Sequence, residues 1–172
     1  MEESVTVRGL QFVESPFEQE QMMAWIVAVK QEYPDYHRMT DAAPNMIVGT
    51  LEQEVNFGSH FRLILCLEGK NIVGLLKYAL ADEGRRIEIH HFAVLPSHQR
   101  RRIGAALLDK IKEKATGQAS IFASGINEPA HFPLQRAGFW RAKKRMGEYA
   151  YKWSDLPEQQ NDDTPEADDQ EG

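Results

Sequence analysis

The sequence is short of cysteine and of long apolar segments, and both shortages narrow the class of protein. Its single cysteine, Cys66, cannot form a disulfide within the chain, which is typical of a reducing compartment. No apolar run approaches the ~20 residues that a membrane-spanning helix needs. The first residues, MEESVTVRG, lack the basic and then apolar pattern of a signal peptide. We therefore expect a cytoplasmic protein that does not enter a membrane.

Positive charge is absent from the C-terminal segment. Residues 154–172 contain eight acidic residues and no lysine or arginine, in a chain of net charge −6. Subtracting these eight from the 26 acidic residues leaves 18 against 20 basic residues, so residues 1–153 carry a charge near +2. Because residues 154–172 are also poor in apolar side chains, we expect a disordered acidic tail after one domain over residues 1–153. The tail either keeps the protein soluble or attracts a cationic partner, and the sequence does not decide between the two.

Hydrophobic periodicity predicts the element order βααβββαβαββ. Meandering strands followed by a strand-helix-strand crossover indicate an α/β (α+β) fold, with one mixed sheet flanked by helices. Ser15, Pro16 and Glu18 predict a capping box at the start of the first helix. Strands are predicted at residues 4–13, 61–68, 72–80, 85–95, 118–124, 139–144 and 148–153, and helices at 16–33, 44–56, 101–115 and 128–137.

The strand predicted at 85–95 changes the phase of its apolar residues. Ile87 and Ile89 occupy odd positions, whereas Phe92 and Val94 occupy even positions. A β-bulge inserts one extra residue and would cause this change, leaving backbone groups that could pair with an extended ligand. The alternative is that both faces of the strand are buried, in which case the phase carries no information.

Three consecutive arginines, Arg100 to Arg102, stand between this strand and the next predicted helix. The first turn of a helix has N–H groups without a partner in the helix, and the helix dipole adds about half a positive charge there. Gly104 and Ala105 are small enough for a phosphate to approach the backbone, and the arginines add charged donors. These features predict a diphosphate site. The alternative is a basic helix start that contacts solvent or nucleic acid.

Two motifs resemble the GNAT superfamily of acyl-CoA-dependent N-acetyltransferases. AVLPSHQRRRIGAALL, at residues 93–108, resembles the family signature, with Gln99 to Gly104 in register and Arg102 in place of the first glycine. NEPAHFPLQRAGF, at residues 127–139, resembles the second family motif through Asn127, Ala130, Gly138 and Phe139. The resemblance covers nearly the whole chain apart from the tail.

The resemblance implies a sheet with splayed central strands and acetyl-CoA as co-substrate. The six histidines show no metal-ligand spacing beyond the adjacent pair His90 and His91, so we expect no metal. The pantetheine arm would pair with the backbone of Phe92, Ala93 and Val94, where an amide would polarise the thioester carbonyl. The loop and the helix start would hold the pyrophosphate. The cofactor-binding residues so implied are Phe92, Ala93, Val94, Gln99, Arg100, Arg101, Arg102, Ile103, Gly104, Ala105 and Asn127.

Glu88 and His90 are the candidate catalytic residues. Acylation requires a neutral amine, and an alkyl ammonium has a pKa near ~10.4, so a base must remove its proton. Glu88 resembles, by register, the glutamate base of the histone-acetylating branch, and His90 resembles a histidine base or relay in other members. The alternative for Glu88 is a surface residue paired with Arg85 or Arg86.

Leu134 stands where many members have a tyrosine that protonates the leaving thiolate. Tyr149, Tyr151 or a bound water are candidate replacements, and the sequence does not rank them. The departure matters because it leaves room for a protein that binds acyl-CoA without turning it over.

We therefore expect an N-acetyltransferase that moves an acetyl group from acetyl-CoA directly to a primary amine, with Glu88 as general base. A non-catalytic acyl-CoA-binding regulatory domain is the alternative, suggested by Leu134 and Arg102. A nucleic-acid module built on the arginine run is a third reading, against which the acidic tail argues. The acceptor could be a small molecule or an amine of a peptide or protein. Edge strands in such folds can pair into a homodimer, and the sequence does not fix the oligomeric state.

Overall fold

The structure is a computed structural model that describes residues 9–39, 42–58, 61–99, 101–115, 120–124, 131–145 and 148–154. The element order within these residues is βααβββαβαββ, which confirms the prediction. The elements are β1 (Leu10–Glu14), α1 (Gln19–Glu32), α2 (Ala43–Phe57), β2 (Arg62–Glu68), β3 (Asn71–Ala81), β4 (Arg86–Val94), α3 (Ile103–Glu113), β5 (Ser120–Ser124), α4 (His131–Arg136), β6 (Trp140–Arg145) and β7 (Glu148–Ser154).

The chain divides into two compact units. Unit 1 comprises Met1–Lys77 and His91–Leu107, and unit 2 comprises Tyr78–His90 and Leu108–Gly172. The strand order is β1-β2-β3-β4 in unit 1 and β4-β5-β7-β6 in unit 2. In the part of the chain that the structure describes, no helix has the length and apolar character needed to cross a bilayer.

The core of unit 1 forms between two helices and the central strands. In α1 the buried residues recur three and four positions apart, which gives the helix one apolar face. Five consecutive residues of β2, from Leu63 to Leu67, are buried, so both faces of this strand are covered. The core cluster comprises Met22, Trp25, Ile26, Val29, Ile47, Val48, Leu51, Leu63, Leu65, Leu67, Ile72, Leu75, Ala93 and Leu95.

Helix α1 begins later than the sequence predicts. Glu18 is its N-cap residue and makes no side-chain capping hydrogen bond, so the predicted capping box is wrong. Ser15 is used by the sheet instead. Its N–H donates to the carbonyl of Leu63 at 2.9 Å, and its Oγ accepts from the N–H of Leu63 at 2.9 Å. These bonds extend the antiparallel pairing of β1 with β2 past Glu14.

Unit 2 is organised around β5. Strand β4 pairs with it in parallel, from Arg86 opposite Ser120 to Ile89 opposite Ala123. Strand β7 pairs with the other edge of β5 in the antiparallel sense, and β6 pairs with β7. Side chains buried on these strands include Ile87, Ile89, Ile121, Ala123 and Tyr151.

The C-terminal half of β4 has contacts on both faces in unit 1. Ala93 belongs to the core cluster, as does Leu95, which follows the strand. Phe92 and Val94 are half-buried and face the start of α3, since a Cβ atom added at Gly104 would lie 3.2 Å from Cζ of Phe92 and 3.9 Å from Cγ2 of Val94. The change in apolar phase is therefore explained by burial on both sides, and the bulge stays a prediction.

Candidate functional site

Helix α3 begins at Ile103, two residues later than predicted, because Arg102 has a left-handed backbone conformation. Its φ is 65°, in the region that L-residues enter at a cost of roughly 1–2 kcal/mol. The Arg102 carbonyl accepts the hydrogen bond of the Ala106 N–H at 3.0 Å, at the first turn of the helix. Arg102 stands where the GNAT signature usually has glycine, and the backbone keeps the conformation that glycine would adopt freely.

The loop before α3 is bound to the end of β2 by one carboxylate. Oε1 of Glu68 accepts from Nε2 of His98 at 2.6 Å, and Oε2 accepts from Nη2 of Arg101 at 2.9 Å. These two hydrogen bonds, that of His98 first, hold the pKa of Glu68 below its usual range. The Arg101 guanidinium therefore already has an acidic partner within unit 1.

Two further side chains fix the same loop. The N–H of Ser97 donates to Oη of Tyr33, at the end of α1, at 3.2 Å. Nε2 of Gln99 donates to the carbonyl of Val94 at 3.2 Å, which closes the loop onto the last residue of β4. Gln99, predicted to bind the cofactor, thus has a structural hydrogen bond in this structure.

The exposed residues around the start of α3 are small or positively charged. Arg101, Arg102 and Ala105 are exposed and Gly104 is half-buried. The Ile103 side chain is 1% exposed, so Ile103 could contact a cofactor only through its backbone. The remaining predicted cofactor residues, Arg100 and Asn127, lie outside the described residues. Of the tail predicted at residues 154–172, residues 155–172 lie outside them too, and Ser154 is the buried last residue of β7.

Glu88 and His90 lie together in unit 2. Nε2 of His90 is 3.9 Å from Oε1 of Glu88, and Nε of Arg86 is 2.8 Å from Oε2. The Arg86 Nε has no hydrogen-bond partner by geometry, so this contact is an ion pair without a well-directed hydrogen bond. The pairing with Arg86 that was the alternative for Glu88 is therefore present. The side chains of Glu88 and His90 are 36% and 40% exposed, so solvent and a ligand could reach both.

Residues 20–139 match the Acetyltransferase (GNAT) family. The chain belongs to the GNAT acetyltransferase family. The GNAT resemblance predicted from the two motifs is thereby confirmed.

Solved structures share the GNAT fold with this chain at low sequence identity. An acetyltransferase from Thermus thermophilus has a TM-score of 0.62 and 20% identity, covering 84% of this chain and 97% of that one. GCN5 from Tetrahymena has a TM-score of 0.60 and 16% identity, covering 86% and 97%. The PaiA N-acetyltransferase from Thermoplasma acidophilum, in complex with coenzyme A, has a TM-score of 0.57 and 9% identity, covering 84% and 99%. No curated protein matches the chain.

The GNAT position often held by a tyrosine acid is buried here. Leu134 is 0% exposed, and its carbonyl accepts from the N–H groups of Ala137 and Phe139 at 3.1 and 3.0 Å. Of the candidate replacements, Tyr151 is 1% exposed, and the side chain of Tyr149 lies outside the described residues. Among the residues that are described, no group of three or more histidine, cysteine or acidic side chains could hold a metal ion.

Two residues that hold the loop before α3, Glu68 and Tyr33, lie outside both sequence motifs. Glu68 is separated from His98 by 30 residues and Tyr33 from Ser97 by 64. A single acid at the end of an apolar strand, followed by the turn of a hairpin, is the only local sign of Glu68. Such contacts depend on the strand order, so a motif read along the chain does not contain them.

Cys66 is expected to be unreactive in the folded protein. The residue is 0% exposed in β2, and burial raises the pKa of its thiol from 9.0 to about 12. At pH 8 the thiolate population should be about a thousandfold lower than for an exposed thiol of ordinary pKa. A chromogenic disulfide reagent should therefore label the native protein at a negligible rate and label one thiol per chain in urea. Rapid labelling of the native protein would contradict burial of Cys66.

Proposed function

We propose that the protein is an N-acetyltransferase that moves the acetyl group of acetyl-CoA directly to a primary amine, with Glu88 as general base. The observation that carries the proposal is the junction of β4 and α3 in a chain of the GNAT family. At this junction Arg102 has a backbone conformation typical of glycine and is the last residue before α3. The first turn of α3 contains two small residues, the half-buried Gly104 and the exposed Ala105. Members of this family use acetyl-CoA as the acyl donor.

The residues at this junction fit a thioester carrier with a diphosphate. The first-turn N–H groups and the helix dipole would bind the diphosphate, because they need an acceptor outside the helix. The exposed guanidinium of Arg102 would add a charged donor. The backbone of Phe92 to Val94 would pair with the pantetheine arm in the manner of an added strand. When bound, acetyl-CoA supplies the activated acetyl group.

Glu88 supports the acceptor side of the proposal. Its carboxylate is half-exposed and stands on β4, six residues before Val94. A carboxylate there would accept the proton of a bound ammonium, directly or through one water, so that the neutral amine becomes the nucleophile. His90, 3.9 Å from Glu88, would pass that proton to solvent. The acceptor class stays open between a small molecule and an amine of a peptide or protein.

A second candidate function is a non-catalytic acyl-CoA-binding regulatory domain. Two observations favour it. Glu88 is paired with Arg86 at 2.8 Å, as a merely structural glutamate would be, and the position of the tyrosine acid holds the buried Leu134. Thiolate is a fair leaving group without an acid, so these features fit slow catalysis as well as none.

Calorimetry with coenzyme A and a thiol-release assay separate these functions. The full chain should bind coenzyme A with one site per chain, and the heat should vanish when the diphosphate-bearing nucleotide is removed from the ligand. With acetyl-CoA and a panel of primary amines, an acetyltransferase releases free thiol. Binding without thiol release on every amine would leave the regulatory domain. Absence of binding by a demonstrably folded chain would exclude both candidates.

A further inference from the structure

We propose that Glu68 is a positioning residue for the diphosphate loop, the segment between β4 and α3 of which the structure describes residues 95–99, 101 and 102. Its carboxylate at the end of β2 holds His98 and Arg101, and thereby fixes the turn from which α3 starts. The inference rests on the proposed binding of coenzyme A at that turn. It assigns Glu68 a role through its neighbours rather than a contact with the cofactor.

The geometry at Glu68 uses both carboxylate oxygens for different residues of the loop. Oε1 accepts from His98 at 2.6 Å, and Oε2 accepts from Arg101 at 2.9 Å. One rigid carboxylate therefore fixes two points of the loop that are three residues apart. Hydrogen bonds with a charged partner are about twice as strong as neutral ones, so the arrangement is a substantial constraint on a short loop. The His98 side chain is 13% exposed and the Glu68 side chain 40% exposed, so this bond is shielded from water on the histidine side only.

The hydrogen bond to Glu68 gives Arg101 a different role from that of Arg102. Arg101 and Arg102 are both exposed, but Arg101 directs Nη2 at Glu68, whereas Arg102 has the left-handed conformation directly before α3. Arg102 and the first-turn N–H groups are thus left to meet the diphosphate, and Arg101 holds the loop in place. The sequence motif predicts that both arginines bind the cofactor, and the bond of Arg101 to Glu68 changes that assignment.

Loss of Glu68 should loosen this loop without unfolding unit 1. The loop keeps the hydrogen bonds of Ser97 to Tyr33 and of Gln99 to Val94. Glutamine at position 68 has no charge and a single acceptor oxygen, so it could keep both partners only by accepting from Arg101 and donating its NH₂ to Nε2 of a neutral His98, in place of two charge-assisted bonds. We therefore expect graded effects, with Glu68→Gln weaker than Glu68→Ala.

The test compares two acetyl donors that share the acetylated pantetheine arm and differ in the nucleotide part, which contains the diphosphate. Acetyl-CoA carries the diphosphate, and S-acetylpantetheine lacks it. Glu68→Ala should raise the KM for acetyl-CoA about tenfold, because a charge-assisted anchor is lost, with kcat little changed. The kinetic constants for S-acetylpantetheine should stay as in the unaltered protein. The matched control is Glu52→Ala, which removes an equally exposed glutamate that pairs with Lys30 at 2.9 Å on the helices.

A double replacement distinguishes positioning from direct binding by Arg101. If Arg101 acts through Glu68, then Arg101→Gln should add little to the loss of acetyl-CoA affinity that Glu68→Ala causes alone, because Glu68→Ala already removes the partner of Arg101 as well as that of His98. If Arg101 binds the diphosphate independently, the losses multiply and the proposal is overturned. An equal rise in KM for acetyl-CoA and S-acetylpantetheine in Glu68→Ala, or an unchanged KM for both, would also overturn it.

If the unaltered chain binds coenzyme A but does not catalyse acetyl transfer, the same comparison is made with calorimetric Kd values for coenzyme A and pantetheine. If the unaltered chain does not bind coenzyme A, the proposed function fails first, and that result is separate from any effect of Glu68.

Discussion

Replacement of Glu88 by glutamine is expected to lower kcat by about a hundredfold or more while leaving coenzyme A binding intact. Glutamine has nearly the shape of glutamate but cannot accept a proton from an ammonium, so the amine would have to lose its proton unaided. The measurement is thiol release at saturating acetyl-CoA and amine, together with calorimetric titration of the variant with coenzyme A.

The pH dependence of this loss separates a base from a structural glutamate. As the pH approaches the amine's own pKa of ~10.4, the amine becomes neutral without help, so the deficit of Glu88→Gln should shrink. A glutamate that only pairs with Arg86 would give a loss that does not depend on pH in this way. Glu113→Gln, an exposed position of α3 in the same unit, is the control and should keep full activity. Unchanged turnover in Glu88→Gln would remove Glu88 from the mechanism.

The order of helices and strands followed from the sequence because each element carries a strong local pattern. The β2 and β3 runs are apolar over most of their length and are joined by a turn at Gly69–Lys70, and they lie within a residue or two of their predicted bounds. The buried residues of α1 recur at helical spacing in the printed sequence. Where burial on one face decides the element, periodicity along the chain is sufficient information.

The predictions were wrong where a side chain binds a residue far away in the sequence and not the partner that its local sequence suggests. Ser15 has the sequence context of a helix cap, but the structure uses its N–H and hydroxyl to pair with Leu63, 48 residues away. Arg101 stands in a run that suggests a free basic surface, but Glu68 accepts its hydrogen bond. The local sequence indicates which partners a side chain could have, and the tertiary structure determines which of them it binds.

The candidate site, too, could be predicted from the sequence only in part. The motif located the junction at Arg102 and Gly104, because the backbone conformation there is a local property that glycine usually provides. The motif could not show that Arg101 is bound to Glu68, because that partner lies 33 residues away in the sequence. The contact of Glu88 with Arg86 is one of the alternatives that the sequence leaves open, and the structure shows it at 2.8 Å.

Gly74 in β3 is the position at which a single added side chain should most disturb the framework of the proposed cofactor site. A Cβ atom there would lie 3.0 Å from Cγ2 of Ile103, 3.3 Å from Cδ1 of Leu107 and 3.5 Å from the carbonyl oxygen of Ala93. The start of α3 therefore lies on β3 at a distance that leaves little room for a side chain at position 74. Gly74→Val should push the Ile103 and Leu107 side chains, and with them α3, away from the strand, because both are fully buried and have little space into which to move, whereas the Ala93 oxygen at 3.5 Å is in ordinary contact.

We expect Gly74→Val to lower the free energy of unfolding by about 2–3 kcal/mol, the upper range for overpacking a core. For a chain of this size that corresponds to a fall in Tm of roughly 5–10 °C, measured by thermal melting followed by circular dichroism. Because Ile103 is the first residue of α3, the same change should weaken coenzyme A binding.

Gly49→Val in α2 is the matched control, because nothing lies within 4 Å of a Cβ atom added at Gly49. Valine is slightly better than glycine in a helix, so the Tm of this variant should be unchanged or higher. Valine also suits a strand better than glycine, so a loss at Gly74 cannot come from strand propensity and would measure the crowding against α3. Equal melting of the two variants would mean that α3 does not depend on close approach to β3.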